Sequence, residues 1–240
     1  MIRAIKGLYQ EVIEFNGEER KIVAFAARAA LGGSGRSRAL DVGCGYGRIL
    51  KRLLGLGYDV TGVEANPAIV AANLEAGLRC VTPEELQATE SEVDLVVMSH
   101  VIEHILPPDL LSFMDLYLDR LKSGGHLLIA TPLLSPYFFD DFDHVRPYHP
   151  VGLEMVFGPD AAQVQYRGRN RLALRDIWFR RSPFRSLFVR ARYVRSPMTR
   201  IVQISDFFAA LLFRLSLGVI GRTDGWVGLY EKLGPPNPDR

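Results

Sequence analysis

Short apolar runs of strand length alternate with helical patterns between residues 38 and 132. The clearest runs are "RALDV" and "VDLVVMS", and each is followed by apolar residues at helical spacing that end at a glycine. Continuous apolar runs are typical of strands that are buried on both faces of a sheet. The alternation therefore predicts an α/β fold, in which a parallel sheet is covered by helices on both faces.

The full pattern predicts five strands before residue 133, at "RALDV", "YDVTGVE", "LRCVT", "VDLVVMS" and "HLLIATP". One or two further helices are predicted over residues 4–31. With 240 residues, of which 48% are apolar, the chain is long enough for one such domain. We predict this domain over 1–180, a helical C-terminal extension over 181–233, and a flexible tail at 234–240.

The predicted extension lies in a strongly basic part of the chain. Thirteen arginines, no lysine and two aspartates lie between Gln165 and Arg222, a formal charge of +11 in a chain whose net charge is +2. Arginines alternate here with Trp, Phe and Tyr. Three interpretations are open for 181–222: an interfacial helix on an anionic membrane, a nucleic-acid contact, or packing on the domain or on a second copy in a homodimer.

The apolar run at 201–221 is almost long enough to cross a bilayer. Asp206 and Arg214 interrupt it, and each would be unfavourable at the middle of the membrane. This argues against a spanning helix and favours an interfacial one. The part at 207–220 has too few charges to follow a phosphate backbone, which argues against a nucleic-acid partner.

The loop after the first strand, "LDVGCGYGRIL", carries glycines at alternate positions, Gly43, Gly45 and Gly47. Glycine allows unusual backbone dihedral angles and close approach of a ligand, and ligands of open α/β sheets bind beyond the carboxyl ends of the strands. Dinucleotide-binding proteins have G-x-G-x-x-G, whereas here Arg48 stands at the third glycine position. Glu64, at the end of the second strand, is placed to accept hydrogen bonds from ribose hydroxyls. A nucleoside is predicted, and the glycine spacing favours S-adenosylmethionine (SAM) over NAD.

Four segments, "ALDVGCGYG", "VTGVEANP", "VDLVVMSHVIEHI" and "LKSGGHLLIATP", resemble the successive motifs of class I SAM-dependent methyltransferases in order and spacing. The resemblance covers residues 39–132, and "DHVRPYHP" resembles the segment after the fifth strand in one subgroup. It implies a Rossmann-like seven-stranded sheet whose last strand is antiparallel. The sixth and seventh strands are then expected near "AAQVQYRG" and "LALRDIWF".

The resemblance also implies roles for individual residues. Asp41 and the glycine loop are expected around the methionine part of SAM, Glu64 at the ribose, and Ser99 with His100 beneath the sulfonium. An acid that many relatives carry after the third strand is absent, so Glu84 or Glu85 is a candidate substitute. The expected cofactor-binding set is Asp41, Gly43, Cys44, Gly45, Gly47, Glu64, Ala65, Asn66 and Ser99.

Histidines supply the candidate catalytic residues, His144 and His100. His144 lies in the polar loop "DDFDHVRPYHP", where a histidine can accept the proton of a hydroxyl that is being methylated. The alternative is that Asp143, His144 and Arg146 only hold this loop together, since in-line alignment alone can supply most of the rate.

The sequence offers two other chemistries. "HVIEH" has the inverted order of a zinc-peptidase motif, but Pro107 and Pro108 end its helix early and no metal is expected. Cys44 precedes a helix, a position that can lower the pKa of a thiol. In the family that this chain resembles, the position is commonly a small packed residue.

We therefore predict a methyltransferase that acts on a small-molecule or lipid-linked acceptor, by O-methylation. Two alternatives stay open, a SAM-binding scaffold without turnover and a nucleic-acid methyltransferase. The two cysteines form no disulfide framework, and the N-terminus has no long apolar run. The expected location is cytoplasmic, with peripheral association at the inner face of the membrane.

Overall fold

The structure, a computed structural model, describes residues 17–30, 37–89, 91–159 and 165–234. The strands are β1 (Arg38–Val42), β2 (Asp59–Val63), β3 (Cys80–Val81), β4 (Val93–Ser99), β5 (Leu121–Pro132), β6 (Leu172–Ser182) and β7 (Arg222–Lys232). The α-helices are α1 (Glu18–Ala29), α2 (Arg48–Gly55), α3 (Pro67–Glu75), α4 (Pro83–Gln87), α5 (Pro107–Leu118), α6 (Pro150–Phe157), α7 (Arg190–Tyr193) and α8 (Pro197–Leu215).

The seven strands form one sheet in the order β3–β2–β1–β4–β5–β7–β6. β1 pairs in parallel with β2 on one side and with β4 on the other, and β4 pairs in parallel with β5. The last strand is antiparallel. Strand order therefore reverses at β1, and the carboxyl ends of β1, β2, β4 and β5 lie at the same edge of the sheet, where ligands of such folds bind.

Apolar side chains fill both faces of this sheet. β4 is central, and its residues from Leu95 to Met98 are completely buried, which explains the continuous apolar run in its sequence. One core cluster includes side chains from α5 and α6 and from strands such as β5. The other cluster includes residues of α1 and α2. The predicted α/β fold with helices on both faces is confirmed.

The first five strands lie where the sequence predicted them, but the predictions for the last two are wrong. The segment near "AAQVQYRG" was expected to be the sixth strand; its residues 161–164 lie outside the described residues and 165–168 form no strand. "LALRDIWF", expected as the seventh strand, is part of β6. The seventh strand is formed by residues that were assigned to the helical extension. The helices α7 and α8 are therefore an insertion between β6 and β7.

The contacts of the chain divide it into two units. The larger unit consists of Glu19–Trp178 and Trp226–Arg240, and it contains both core clusters. The smaller unit consists of Met1–Glu18 and Phe179–Gly225. We call the segment Phe179–Gly225 the arm. Among the described residues, no helix has the length and hydropathy needed to cross a membrane.

The two ends of the chain lie mostly outside the described residues. Of the helix predicted over 4–31, the described part is α1. The tail was predicted to be flexible over 234–240, and its residues 235–240 lie outside the described residues.

Candidate active site

The glycine loop between β1 and α2 has a backbone that only glycine adopts readily. Gly43, Gly45 and Gly47 have φ angles of +66°, +51° and +73°. A Cβ on Gly43 would lie 2.5 Å from Val101 Cγ2, and one on Gly47 would lie 2.7 Å from Leu78 Cδ1. A Cβ on Gly45 would meet no atom within 4 Å. Packing thus fixes the two outer glycines, while the middle one faces open space that a ligand can approach.

Two side chains hold the backbone of Gly45 in place. Asn73 Nδ2 donates to the Gly45 carbonyl at 2.7 Å, and the Gly45 amide donates to Glu64 Oε2 at 3.1 Å. Asn73 is only 2% exposed, although it lies in the apolar helix "PAIVAANLEAG". Asn73 was not among the residues predicted from the sequence. A polar side chain at a buried helical position was the signal that could have found it, because such groups are hydrogen-bonded.

Glu64 directly follows β2, as predicted, and one of its two carboxylate oxygens contacts the glycine loop. Oε1 accepts the amide of Asn66 at 2.9 Å, while Oε2 accepts that of Gly45. A carboxylate oxygen has two lone pairs, so each can still accept a ribose hydroxyl. Ala65 and Asn66 are exposed beside it. Asn66 also caps α3, since its Oδ1 accepts the amide of Ala68 at 3.0 Å.

Asp41 and Ser99 place buried polar atoms at the carboxyl ends of β1 and β4. Asp41 is 1% exposed. Its Oδ2 and the Oγ of Ser99 have no hydrogen-bond partner within the described part of the chain. Burial raises the pKa of Asp41 to about 7, although the amide of Leu50 and the charge of Arg48 lower it in part. A ligand with a cationic group would give the Oδ2 atom of Asp41 a partner of opposite charge.

Cys44 is a packed thiol of the loop. Its Sγ lies 3.5 Å from the Sγ of Cys80, and both residues are buried. Burial and the neighbouring Cys80 raise the pKa of the Cys44 thiol. The burial, the contact with Cys80 and the raised pKa argue against a thiolate activated by the start of α2, and they fit the packing role that the family resemblance implies.

His100 follows β4 and is held by a buried carboxylate. Its φ is +58°, a left-handed conformation that is uncommon outside glycine and often occurs at functional sites. Its Nδ1 lies 3.1 Å from Glu103 Oε1. Glu103 is completely buried, and its Oε2 accepts the hydroxyl of Thr131 at 3.0 Å. The sequence indicated Glu103 only as part of a metal motif and gave no signal for Thr131, because their contact depends on the pairing of β4 with β5.

His144 and His104 pack on each other, with ring centroids 4.9 Å apart. His144 Nδ1 lies 2.6 Å from the Phe138 carbonyl, and His104 Nδ1 lies 3.1 Å from the carbonyl of Asp143. Because a carbonyl only accepts, each ring carries its proton on Nδ1. His144 Nε2 lies 3.7 Å from Asp141 Oδ2. These contacts link His144 to its own loop, and its role as a base stays a prediction.

Donor atoms of Glu103, His104 and His144 lie within 4.8 Å of one another, a spacing that suits a divalent cation. The two oxygens of Glu103 already accept from His100 and Thr131. The absence of a metal stays a prediction for this chain.

An apolar cavity of about 360 Å³ lies beside the polar loop, between α5 and α6. The loop is fixed to the segment after His100, because the amides of Val145 and Arg146 both donate to the Glu103 carbonyl. The cavity volume lies in the range of small-molecule sites. Among its lining residues are Leu110, Arg146, Tyr148, His149, Gly152 and Phe157.

Glu84 and Glu85, the two candidates to bind the adenine amino group, both lie in the first turn of α4. Glu85 forms a capping box with Thr82: its Oε2 accepts the Thr82 amide at 2.8 Å, and the Thr82 hydroxyl accepts the Glu85 amide. Glu84 is exposed in the first turn of α4. Glu85 is thus committed to the helix cap, and Glu84 is the candidate that stays for the adenine amino group.

Comparison with known proteins agrees with this geometry. A family model described as a methyltransferase domain matches residues 12–194, more than half of the chain. The chain belongs to this methyltransferase family. The methyltransferase fold is also found in the crystal structure of a SAM-dependent methyltransferase from Archaeoglobus fulgidus. That structure has a TM-score of 0.56 and 21% identity, and the match covers 95% of this chain and 99% of the other.

Curated relatives of this methyltransferase carry a more specific name. It is 36% identical over 110 residues to a ubiquinone biosynthesis O-methyltransferase of Cereibacter sphaeroides, a match that covers 42% of this chain and 44% of the relative. An enzyme of the same name from Xanthomonas campestris is 32% identical over 123 residues. The chain spans less than half the length of these relatives.

SAM is the cofactor of this family, and the site residues fit it. The open face of Gly45 gives room for the ligand, and Glu64 offers lone pairs for ribose hydroxyls. The partnerless oxygen of Asp41 suits the positive charge that SAM carries.

Proposed function

We propose that this methyltransferase O-methylates a hydroxyl of a small acceptor that has an apolar, lipid-like part. The observation that carries the proposal is the hydrogen-bonded series His100, Glu103 and Thr131 at the ends of β4 and β5. A histidine oriented by a buried carboxylate is the arrangement that a general base requires. The name O-methyltransferase on the curated relatives supports the same acceptor atom.

When bound, SAM supplies an activated methyl group on its sulfonium. The residues of the chain provide orientation and proton transfer. Glu103, as a carboxylate, accepts the Nδ1 proton of His100, so the lone pair of His100 lies on Nε2. His100 Nε2 would take the proton that the acceptor hydroxyl loses when its oxygen receives the methyl group in place of the sulfonium sulfur. The Glu103 carboxylate then stabilises the imidazolium, and the His100 side chain, 35% exposed, passes the proton to solvent.

The role of His100 as a general base oriented by Glu103 is tested by kinetics with an apolar phenol as the acceptor. We expect His100→Ala to lower kcat by about 10² or more, the usual contribution of a general base. SAM affinity, measured by calorimetry, should change less than about twofold. Glu103→Gln should lower kcat less and move the acidic limb of the pH–rate profile to lower pH, because a neutral amide stabilises the imidazolium less than a carboxylate does.

His144→Ala is the matched control, since this histidine also has its proton on Nδ1. A loss with His144→Ala but none with His100→Ala would transfer the role of base to His144. SAM binding without transfer to any hydroxyl acceptor would favour the scaffold alternative. Transfer to an amine but not to a hydroxyl would contradict O-methylation.

The apolar part of the acceptor is assigned to the cavity between α5 and α6. Gly152 lies on α6 and lines the cavity, and a Cβ there would meet no atom within 4 Å. Gly152→Phe is therefore expected to fill the cavity without disturbing the core. The KM for an apolar acceptor should rise about tenfold or more while SAM affinity stays constant. Gly152→Ala, which adds one methyl and raises helix propensity, is the control and should keep the wild-type KM.

A further inference from the structure

Helix α8 of the arm presents an exposed apolar stripe. Ile201, Ile204, Phe208, Leu212 and Leu215 follow one another at helical spacing and are 51–72% exposed. At 100° per residue they fall within an arc of about 80°. On the other side of the helix, Ala210 and Phe213 are buried. The helix therefore has one face packed within its unit and one apolar face at the surface.

The apolar surface continues beyond the helix. Leu217 and Val219, which follow α8, are 74% and 69% exposed, and Phe188 and Tyr193, which precede it, are 80% and 68% exposed. Single exposed apolar residues are normal on soluble proteins, but a set of this size, with five members in one stripe of a helix, indicates an interaction site. We call these nine residues the apolar surface of the arm: Phe188, Tyr193, Ile201, Ile204, Phe208, Leu212, Leu215, Leu217 and Val219.

The charge of the arm defines which partner fits this surface. Residues 179–225 contain nine arginines, no lysine and two aspartates, a formal charge of +7. Both aspartates are paired inside the arm: Arg192 Nη1 donates to Asp206 Oδ2 at 2.7 Å, and Arg180 Nε donates to Asp224 Oδ1 at 2.9 Å. Arg190, Arg195 and Arg200, by contrast, are exposed before and within the first turns of α8. A partner of the arm must therefore be both anionic and apolar.

An anionic lipid bilayer meets both conditions. Arginine side chains pair with lipid phosphates, while Phe, Leu and Ile enter the boundary of the acyl chains. In a symmetric dimer through this face, two arms with a formal charge of +7 each would meet, and their electrostatic repulsion opposes such a dimer. A nucleic acid would satisfy the arginines but would offer no apolar counterpart to the stripe.

We propose that the arm docks this protein on anionic membrane surfaces, with α8 parallel to the bilayer plane and its apolar stripe turned toward the acyl chains. Asp206 lies within α8 and is paired with Arg192, so the helix lies at the interface and does not span the bilayer. The inference does not depend on the proposed reaction, because docking needs neither SAM nor an acceptor.

The experiment is sedimentation of the full chain with vesicles, either of phosphatidylcholine alone or with about 30% phosphatidylglycerol. We expect partition into the anionic vesicles that is at least tenfold stronger than into the neutral ones and that weakens in 0.5 M NaCl. The double variant Phe208→Gln/Leu212→Gln should lose at least tenfold in partition. Arg195→Glu/Arg200→Glu should lose a similar factor and should also lose most of the salt dependence.

The matched controls lie in the larger unit. Leu74→Gln replaces an apolar helical residue of similar exposure, 55%, and Lys51→Glu reverses an exposed charge on α2. Both should partition like the wild type, and all variants should unfold at the wild-type temperature. The proposal is overturned if the wild type does not bind anionic vesicles, or if the α8 variant binds as the wild type does. A dimer that the α8 variant abolishes, or RNA binding that outcompetes vesicles, would also overturn it.

Discussion

At the scale of single residues, the site depends on where polar atoms are buried. Asp41 and Ser99 have buried oxygens with no partner among the described residues, whereas the oxygens of Glu64 and Glu103 are held by donors of the chain. The donors orient the carboxylates of Glu64 and Glu103 for further hydrogen bonds. The Oδ2 atom of Asp41 is buried without a partner and is suited to bind a cationic ligand.

The affinity for SAM should depend on pH through Asp41. Burial raises its pKa to about 7 in the ligand-free protein, and the positively charged cofactor favours the ionised carboxylate. As pH falls below 7, binding must first remove a proton, so the Kd should increase by up to about tenfold per pH unit. Calorimetry between pH 5.5 and 7.5 measures this slope. Asp41→Asn should bind more weakly at pH 7.5 and show little slope, and a wild-type slope in that variant would contradict the assignment.

Asn73 should affect the cofactor through the loop backbone. In Asn73→Leu the carbonyl of Gly45 loses its buried donor, so we expect a loss of about 1–3 kcal/mol in the free energy of unfolding and weaker SAM binding. Asn170→Leu is the matched control, since Asn170 is completely buried and bonded to Asp115 and Asp119. Urea denaturation should show losses of similar size in both variants, and calorimetry should show weaker SAM binding only in Asn73→Leu. Equal affinities would contradict the role given to Asn73.

At the scale of elements, a glycine of the loop can be needed for two reasons, its left-handed backbone conformation and the space that it leaves for a ligand. Substitutions can distinguish these two effects. Gly45 and Gly77 both have positive φ, +51° and +75°, and neither position has an atom within 4 Å of an added Cβ. Alanine at either site should therefore reduce stability by about 1–2 kcal/mol, the cost of the left-handed conformation. Only Gly45→Ala should also lower SAM affinity, by about tenfold or more. Thermal unfolding and calorimetry give the two quantities, and unchanged affinity would exclude Gly45 as a ligand contact.

The sequence predicted the strands from β1 to β5, because each contains a buried apolar residue or run and a helix separates each from the next. It did not predict β7, where Gly225 and Gly228 interrupt the pattern of a strand. Position 228 favours glycine, because a Cβ there would lie 2.7 Å from the ring of Trp226 and 2.9 Å from that of Tyr230. Strand residues two apart share a face, so these rings close over the glycine.

Sequence patterns predicted the candidate site residues that directly follow single strands, such as Glu64 and His100. They did not reveal Asn73, Thr131 or the orientation of Glu103, because those contacts join elements that are distant in the chain. A periodic pattern places a residue on a face of its own element, but the partner depends on the register between strands, which becomes visible only in the folded sheet.

At the scale of the whole molecule, charge is unevenly distributed between the parts of the chain. The arm carries +7, so the remaining residues carry −5 in a chain of net charge +2. The described parts of both core clusters of the larger unit contain no residue of 179–225. The larger unit thus has its own apolar core and its own cofactor site, and the arm adds a basic, apolar surface. This division predicts that the two properties can be separated by deletion.

Replacement of residues 183–220 by a short Gly-Ser loop should leave the methyltransferase unit folded. The ends to be joined are close, since a Cβ on Gly221 would lie 2.7 Å from the carbonyl oxygen of Ser182. We expect cooperative thermal unfolding, a SAM Kd within about twofold of the wild type, and loss of partition into anionic vesicles. Phe208→Gln/Leu212→Gln, which keeps the whole arm, should match the deletion in partition. A deletion variant that folds but binds SAM at least tenfold more weakly would show that the arm contributes to the cofactor site, and the separation would then be wrong.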